Sequence, residues 1–178
     1  MTDDADDAGY GTADQLGDGR WQLRFRRTYP QAVEEVWRAV TEPEHLAAWF
    51  PTSIDGPRRA GAALSFSFPN GEGPTFDGEV VAYDPPSVFA FRWGPDSIRL
   101  EITGSDSAAT LTLLHAFDER GKAARDAAGW HVCLDALRAA LEGRDEPREQ
   151  MSRWGAVHPG YVERLGPEAS TIGPPQKE

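Results

Sequence analysis

Between residues 64 and 117 the sequence sets down one short β-pattern after another and then closes on a single long helical stripe. That order of periodicities limits the fold more than any other feature. Strand patterns over 64–68, 76–83, 88–93, 98–103 and 110–117 are separated by Pro69-Asn70-Gly71, Asp84-Pro85-Pro86, Gly94-Pro95-Asp96 and Gly104-Ser105-Asp106, all turn-forming combinations. Connections this short predict an antiparallel meander. Residues 124–141 then place Ala127, Trp130, Leu134, Leu137 and Leu141 on one helical stripe, with Gly143 just past its end. Upstream, residues 21–29 alternate, with Trp21, Leu23 and Phe25 on one face. Pro30 then opens a helical pattern through Val33, Val36, Trp37 and Val40, which stops at Thr41 and Pro43; Leu46, Trp49 and Phe50 form a second short stripe ending at Pro51. A curved antiparallel sheet with one apolar face needs a cover, and the only long amphipathic element is the last helix. The sheet must wrap it, which makes an α+β domain.

The chain of 178 residues carries 29 acidic and 18 basic side chains, a net charge of −11. With 39 % hydrophobic residues and six tryptophans it can fill one core. No apolar run approaches the roughly 20 residues that span a bilayer, and the amino terminus is acidic where a signal peptide would be basic. A cytoplasmic protein without membrane contact is expected. The single cysteine, Cys133, excludes an internal disulfide and a one-chain thiolate cluster. No basic stripe with interleaved aromatics is present, which argues against a nucleic-acid partner. Residues 1–19 hold Asp3, Asp4, Asp6, Asp7, Asp14 and Asp18 with no Lys or Arg, and are expected to be a disordered acidic leader. The folded domain is expected over 20–143. Residues 144–178 read as an extension: a polar run, then a short amphipathic segment through Met151, Trp154, Val157, Tyr161, Val162 and Leu165 interrupted by Pro159-Gly160, then a frayed end.

The run Val33-Glu-Glu-Val36-Trp37-Arg-Ala-Val40-Thr41-Glu-Pro43-Glu-His45-Leu46-Ala-Ala-Trp49-Phe50 resembles the amino-terminal signature of the activator-of-heat-shock-protein-ninety ATPase homologue family, within the START-related SRPBCC superfamily. Gly78-Glu-Val80-Val81-Ala-Tyr-Asp84-Pro85-Pro86, Phe89-Ala-Phe91-Arg-Trp93, Thr110-Leu-Thr-Leu-Leu-His115 and Gly129-Trp130-His131-Val-Cys-Leu134-Asp-Ala-Leu137 follow the same pattern in order. The resemblance spans residues 22 to about 143. It implies a helix-grip fold: a curved antiparallel sheet of six to seven strands around a long C-terminal helix, with two short helices after the first strand. It also implies a cavity between sheet and helix that holds small apolar ligands in many relatives. Where the family has a glycine pair before its third strand, this chain has Gly61-Ala62-Ala63, and residues 69–74 form a long turn that alters one pocket rim.

Strand parity sets Phe89, Phe91 and Trp93, then Ile98, Leu100 and Ile102, then Leu111, Leu113, His115 and Phe117, each on a common inward face. The ligand-binding residues expected from parity and resemblance are Trp49, Phe66, Phe68, Phe76, Phe91, Trp93, Leu113, His115, Phe117, Trp130 and Leu134. Trp49, Phe50 and Trp130 would form either a lid at the cavity mouth or a closure of the core. His115 among apolar neighbours needs a hydrogen-bond partner, since leaving its polar atoms unmatched would cost about 1–3 kcal/mol. It is open to three roles: a satisfied core histidine, a group that orients a ligand or moves a proton, or a metal ligand. Arg92 lies opposite Phe91 and Trp93, so strand charges do not build an ionic pocket. His45 and His131 could meet His115 across the mouth; His158 reads as a surface residue and Cys133 as a buried thiol. Metal, nucleotide and nucleophile-elbow motifs are absent, so no catalytic residue, metal or cofactor is assigned. The expected function is binding of a small hydrophobic or amphipathic ligand, without metal, nucleotide or covalent catalysis. The alternatives that the resemblance brings are a chaperone-linked, stress-response interaction module and a polyketide cyclase or aromatase. An exposed sheet edge would permit a homodimer.

Overall fold

In the computed structural model residues 9–71, 73–144 and 150–172 are described. The alternating run after residue 20 forms β2 (Trp21–Tyr29), and the helical stripes that follow form α1 (Val33–Thr41) and α2 (Pro43–Leu46). The meander comprises β3 (Ala63–Phe66), β4 (Phe76–Asp84), β5 (Val88–Trp93), β6 (Asp96–Gly104) and β7 (Ala109–Phe117), and leads through a 3-10 turn into α3 (Ala123–Leu141). With β1 (Thr12–Gln15) they make one seven-stranded sheet in the order β1-β2-β7-β6-β5-β4-β3, every pair antiparallel. The sheet curves around α3. Ala124, Ala127, Ala128, Leu134 and Leu137 of α3 are fully buried against it; the three alanines let the helix approach the strands closely. No helix among the described residues is long and apolar enough to cross a membrane.

Two expectations about the chain ends are corrected. Residues 1–8 of the expected leader lie outside the described residues, but residues 12–15 form the edge strand β1, in register with residues 21–24 of β2. The acidic composition hid a segment that gains its order from strand pairing and from two glycines. At Gly11 a Cβ would sit 2.6 Å from the Phe25 ring, so only glycine lets the backbone cross there. In the extension, Pro159 does not interrupt the helix. It lies inside α4 (Gln150–Leu165), which runs on to a fully buried Tyr161. A mid-helix proline removes one backbone bond at a cost of about 3 kcal/mol, and packing of α4 on α3 outweighs it. The polar run at 145–149 and the last six residues lie outside the described residues.

The two ends meet on α3. The Tyr161 hydroxyl accepts the Gly11 N–H (2.9 Å) and is hydrogen-bonded to Nδ1 of His131 at 2.9 Å. The Tyr10 ring packs on both His131 and Tyr161, with centroids 5.0 and 4.7 Å away. Beside them the inward-facing Arg27 pairs with Asp135 (3.0 Å) and donates to the Gly9 carbonyl. His131, which could have met His115 across the mouth, instead joins this clamp.

Burial lowers the His131 pKa; the Asp135 carboxylate works against this, while Arg27 and Arg164 add to it. The folded-state value lies below the unfolded one of about 6.5, so acid favours the unfolded chain. Stability tied to neutral His131 is complete above that pH and is lost as pH falls through it towards the depressed folded value. Urea midpoints measured across this window should fall for the wild type, and the His131→Gln chain should lack that part of the slope; identical slopes would remove His131 as the cause.

Candidate functional site

A cavity of about 520 Å³ opens at the amino-terminal half of α3. Trp93 and His115 reach it from β5 and β7, Pro51 and Phe68 border it from the loops after α2 and β3, and Trp154 borders it from α4. The 3-10 turn contributes Lys122 and the helix Asp126, Gly129, Trp130 and Cys133, at three- and four-residue spacing on one face of its first turns. Asp96 enters from the β5–β6 hairpin. Gly94, at φ 62°, opens a two-residue loop of the kind that takes glycine at its first central position, and Asp96 pairs with Trp93 directly across it.

These residues form a connected polar chain. Trp130 Nε1–H donates to His115 Nδ1 at 2.9 Å, and His115 Nε2 meets Asp96 Oδ2 at 2.8 Å. An indole N–H can only donate, so Nδ1 carries the lone pair and Nε2 the proton. Both ring nitrogens are thus engaged, which meets the expectation that His115 has partners and leaves neither nitrogen free for a ligand. Lys122 Nζ donates to the same Asp96 oxygen at 2.7 Å and lies 3.7 Å from Asp126, which also accepts from Arg125 (3.0 Å). Burial raises the Asp96 pKa, but the hydrogen bonds from His115 and Lys122, with the charge of the Lys122 ammonium, outweigh it and hold the carboxyl below its ordinary value. Asp96 is an ionised acceptor at 8 % exposure.

Asp96, His115 and Asp126 place one donor atom each within 4.8 Å of one another, a spacing a metal ion could use. The donor set does not fit one here. The histidine has no free lone pair, and the Lys122 ammonium already serves as the cation between the two carboxylates.

Of the residues expected to bind ligand, Phe68, Trp93, His115 and Trp130 border this cavity. Phe66, Phe91, Leu113, Phe117 and Leu134 are fully buried core. Trp49 is equally buried, its indole bonded to the Ala39 carbonyl, so it closes the core. Phe76 is half-buried and packs on Phe66, Phe68 and Trp93. Parity reports that a side chain points inward but not whether it meets open space or α3. The polar members Asp96, Lys122 and Asp126 were missed, as was Trp154. Two signals pointed to them: Asp96 shares the parity of Ile98, Leu100 and Ile102, and Lys122 precedes Asp126 by four residues. His158, read as a surface residue, is half-buried and stacks on Trp154 with centroids 4.3 Å apart.

A seven-stranded antiparallel sheet gripping one long helix, with a cavity at one end of that helix, defines a helix-grip protein of the SRPBCC superfamily. The Activator of Hsp90 ATPase homolog 1-like family matches residues 31–142, and the chain belongs to it. Among solved structures it is similar to CalU16 from Micromonospora echinospora, with a TM-score of 0.70 and 22 % identity over 89 % of this chain and 98 % of that one. EF2215 from Enterococcus faecalis, a conserved protein of unknown function, gives 0.73 and 18 % over 87 % and 90 %. DynU16, a protein in the dynemicin biosynthetic locus, gives 0.61 and 33 % over 69 % of this chain and 48 % of that chain, so the match spans about half of DynU16. No curated protein matches the sequence.

Proposed function

We propose that the protein binds a small hydrophobic or amphipathic molecule in the cavity at the start of α3. One observation carries this reading: the cavity of about 520 Å³ lies within the range of roughly 300–1,000 Å³ typical of small-molecule sites. The cavity reaches the helix backbone at Gly129, where a Cβ would meet nothing within 4 Å. A glycine in the middle of a long helix costs about 1 kcal/mol relative to alanine, and here it leaves room beside Trp130. The similarity to DynU16 supports a ligand of biosynthetic origin. A cyclase that used His115 as acid or base would have to break one of its two hydrogen bonds first, so the binding reading is preferred.

Thermal melts with a panel of fatty acids, sterols and aromatic polyketides test this. A bound ligand at a hundredfold excess over Kd adds about 2.7 kcal/mol, which for a chain of this size raises Tm by about 5–10 °C. The Gly129→Phe chain, with the space filled, should fold normally and lose the ligand-induced shift. A shift that persists in Gly129→Phe would place binding elsewhere, and no shift across the panel would overturn the reading.

A further inference from the structure

The polar chain at the cavity wall is not evenly used. His115 and Lys122 both donate to Oδ2 of Asp96, whereas Oδ1 takes no hydrogen bond from any described residue. Oδ1 is also not among the buried side-chain atoms left without a partner, so it keeps accessible surface, and the space Asp96 borders is the cavity. The Asp96 side chain is only 10 % exposed and its carboxyl is ionised, so it can only accept. A buried acceptor with an open lone pair requires a donor from whatever fills the space beside it.

Charge narrows the donor further. Within the lining, Lys122 and Arg125 offset Asp96 and Asp126, so a cationic ligand would bring an uncompensated charge into an otherwise balanced site. An anionic ligand would meet the open oxygen of a carboxylate. The remaining walls are flat and apolar, built from Trp93, Trp130, Trp154 and Phe68. We infer that the cavity selects neutral, ring-bearing molecules that present a hydroxyl group to Oδ1 of Asp96. This rests on the ligand-binding reading above and adds to it the chemical class of the ligand and the residue that recognises it. His115 and Lys122 act as positioning residues: they hold Oδ2 and so aim Oδ1.

The test compares 2-naphthol with 2-methoxynaphthalene, which share a ring system and differ in the hydroxyl proton, by calorimetric titration of the full chain at neutral pH. Wild type should bind the naphthol about tenfold tighter, the ordinary worth of one hydrogen bond to a charged group. In Asp96→Asn the amide oxygen satisfies His115 and Lys122, which turns the amide N–H₂ towards the cavity. The preference should then fall to near parity, because both compounds offer an acceptor oxygen. Equal binding of the two compounds to wild type, or binding of neither, overturns the hydroxyl inference, whereas the binding reading falls only with the melting panel. A naphthol preference that survives in a folded Asp96→Asn, checked by its thermal melt, assigns the donor contact to another group and overturns the role of Asp96.

Discussion

Replacing Tyr161 with alanine should cost about 3–5 kcal/mol of folding stability, read as a lower urea midpoint. Deleting a fully buried aromatic ring of this size accounts for that range by itself. The hydroxyl adds to it, because its loss leaves the Gly11 N–H and His131 Nδ1 without partners inside the clamp. Tyr161→Phe separates the two contributions: it keeps the ring, loses the hydrogen bonds, and should cost about 1–3 kcal/mol. If Tyr161→Ala costs less than about 1 kcal/mol, α4 is not part of the cooperative fold and its docking on α3 contributes little.

The second large effect is expected from adding one methyl group. A Cβ at Gly78 would lie 1.9 Å from the Arg92 carbonyl oxygen and 2.6 Å from the Phe66 ring. Gly78 pairs with Trp93 on one side and Leu64 on the other, so the obstacle is the backbone of the neighbouring strand and cannot move like a flexible side chain. Gly78→Ala should therefore part β4 from β5 and destabilise the chain by about 3 kcal/mol, the upper end of ordinary overpacking. Because Trp93 borders the cavity, its near-ultraviolet circular dichroism should change as well. A fully stable Gly78→Ala chain with an unchanged tryptophan signal would show that the strand pair can accommodate the methyl group.

Most of the architecture was legible because one physical signal, the change of period from two to 3.6 residues, sets each boundary. The strand read over 88–93 and the long helix read over 124–141 stand where the structure has β5 and α3, the latter beginning one residue earlier. Composition misled at the ends. The acids around Thr12–Gln15 suggested no order, yet an edge strand needs only one pairing partner, and β2 supplies it. Pro159 suggested a break in a segment whose packing overrides it. The site was legible in its apolar half and missed in its polar half. Arg92, correctly read as outward, drew attention to mid-strand charges, whereas the charged groups that line the cavity lie where strands end and the helix begins. Asp96 occupies a turn position by composition and an inward position by parity, and only the pairing with Trp93 settles which description governs. Arg27 was equally visible by parity with Leu23 and Phe25, but its charge is buried only because Asp135 and Gly9 come to meet it.

Gly11 and Tyr161 share one hydrogen bond, so the beginning and the end of the described chain are joined directly. The segment that matches the family, residues 31–142, contains neither β1, β2 nor α4. Cut to that segment, the chain would turn β7 from an inner strand into a raw edge and uncover the helix face that α4 shields. Grafting the cavity of this protein onto a relative would therefore require both flanks to travel together, because the segment of this chain that matches the family is smaller than the part that packs as one unit.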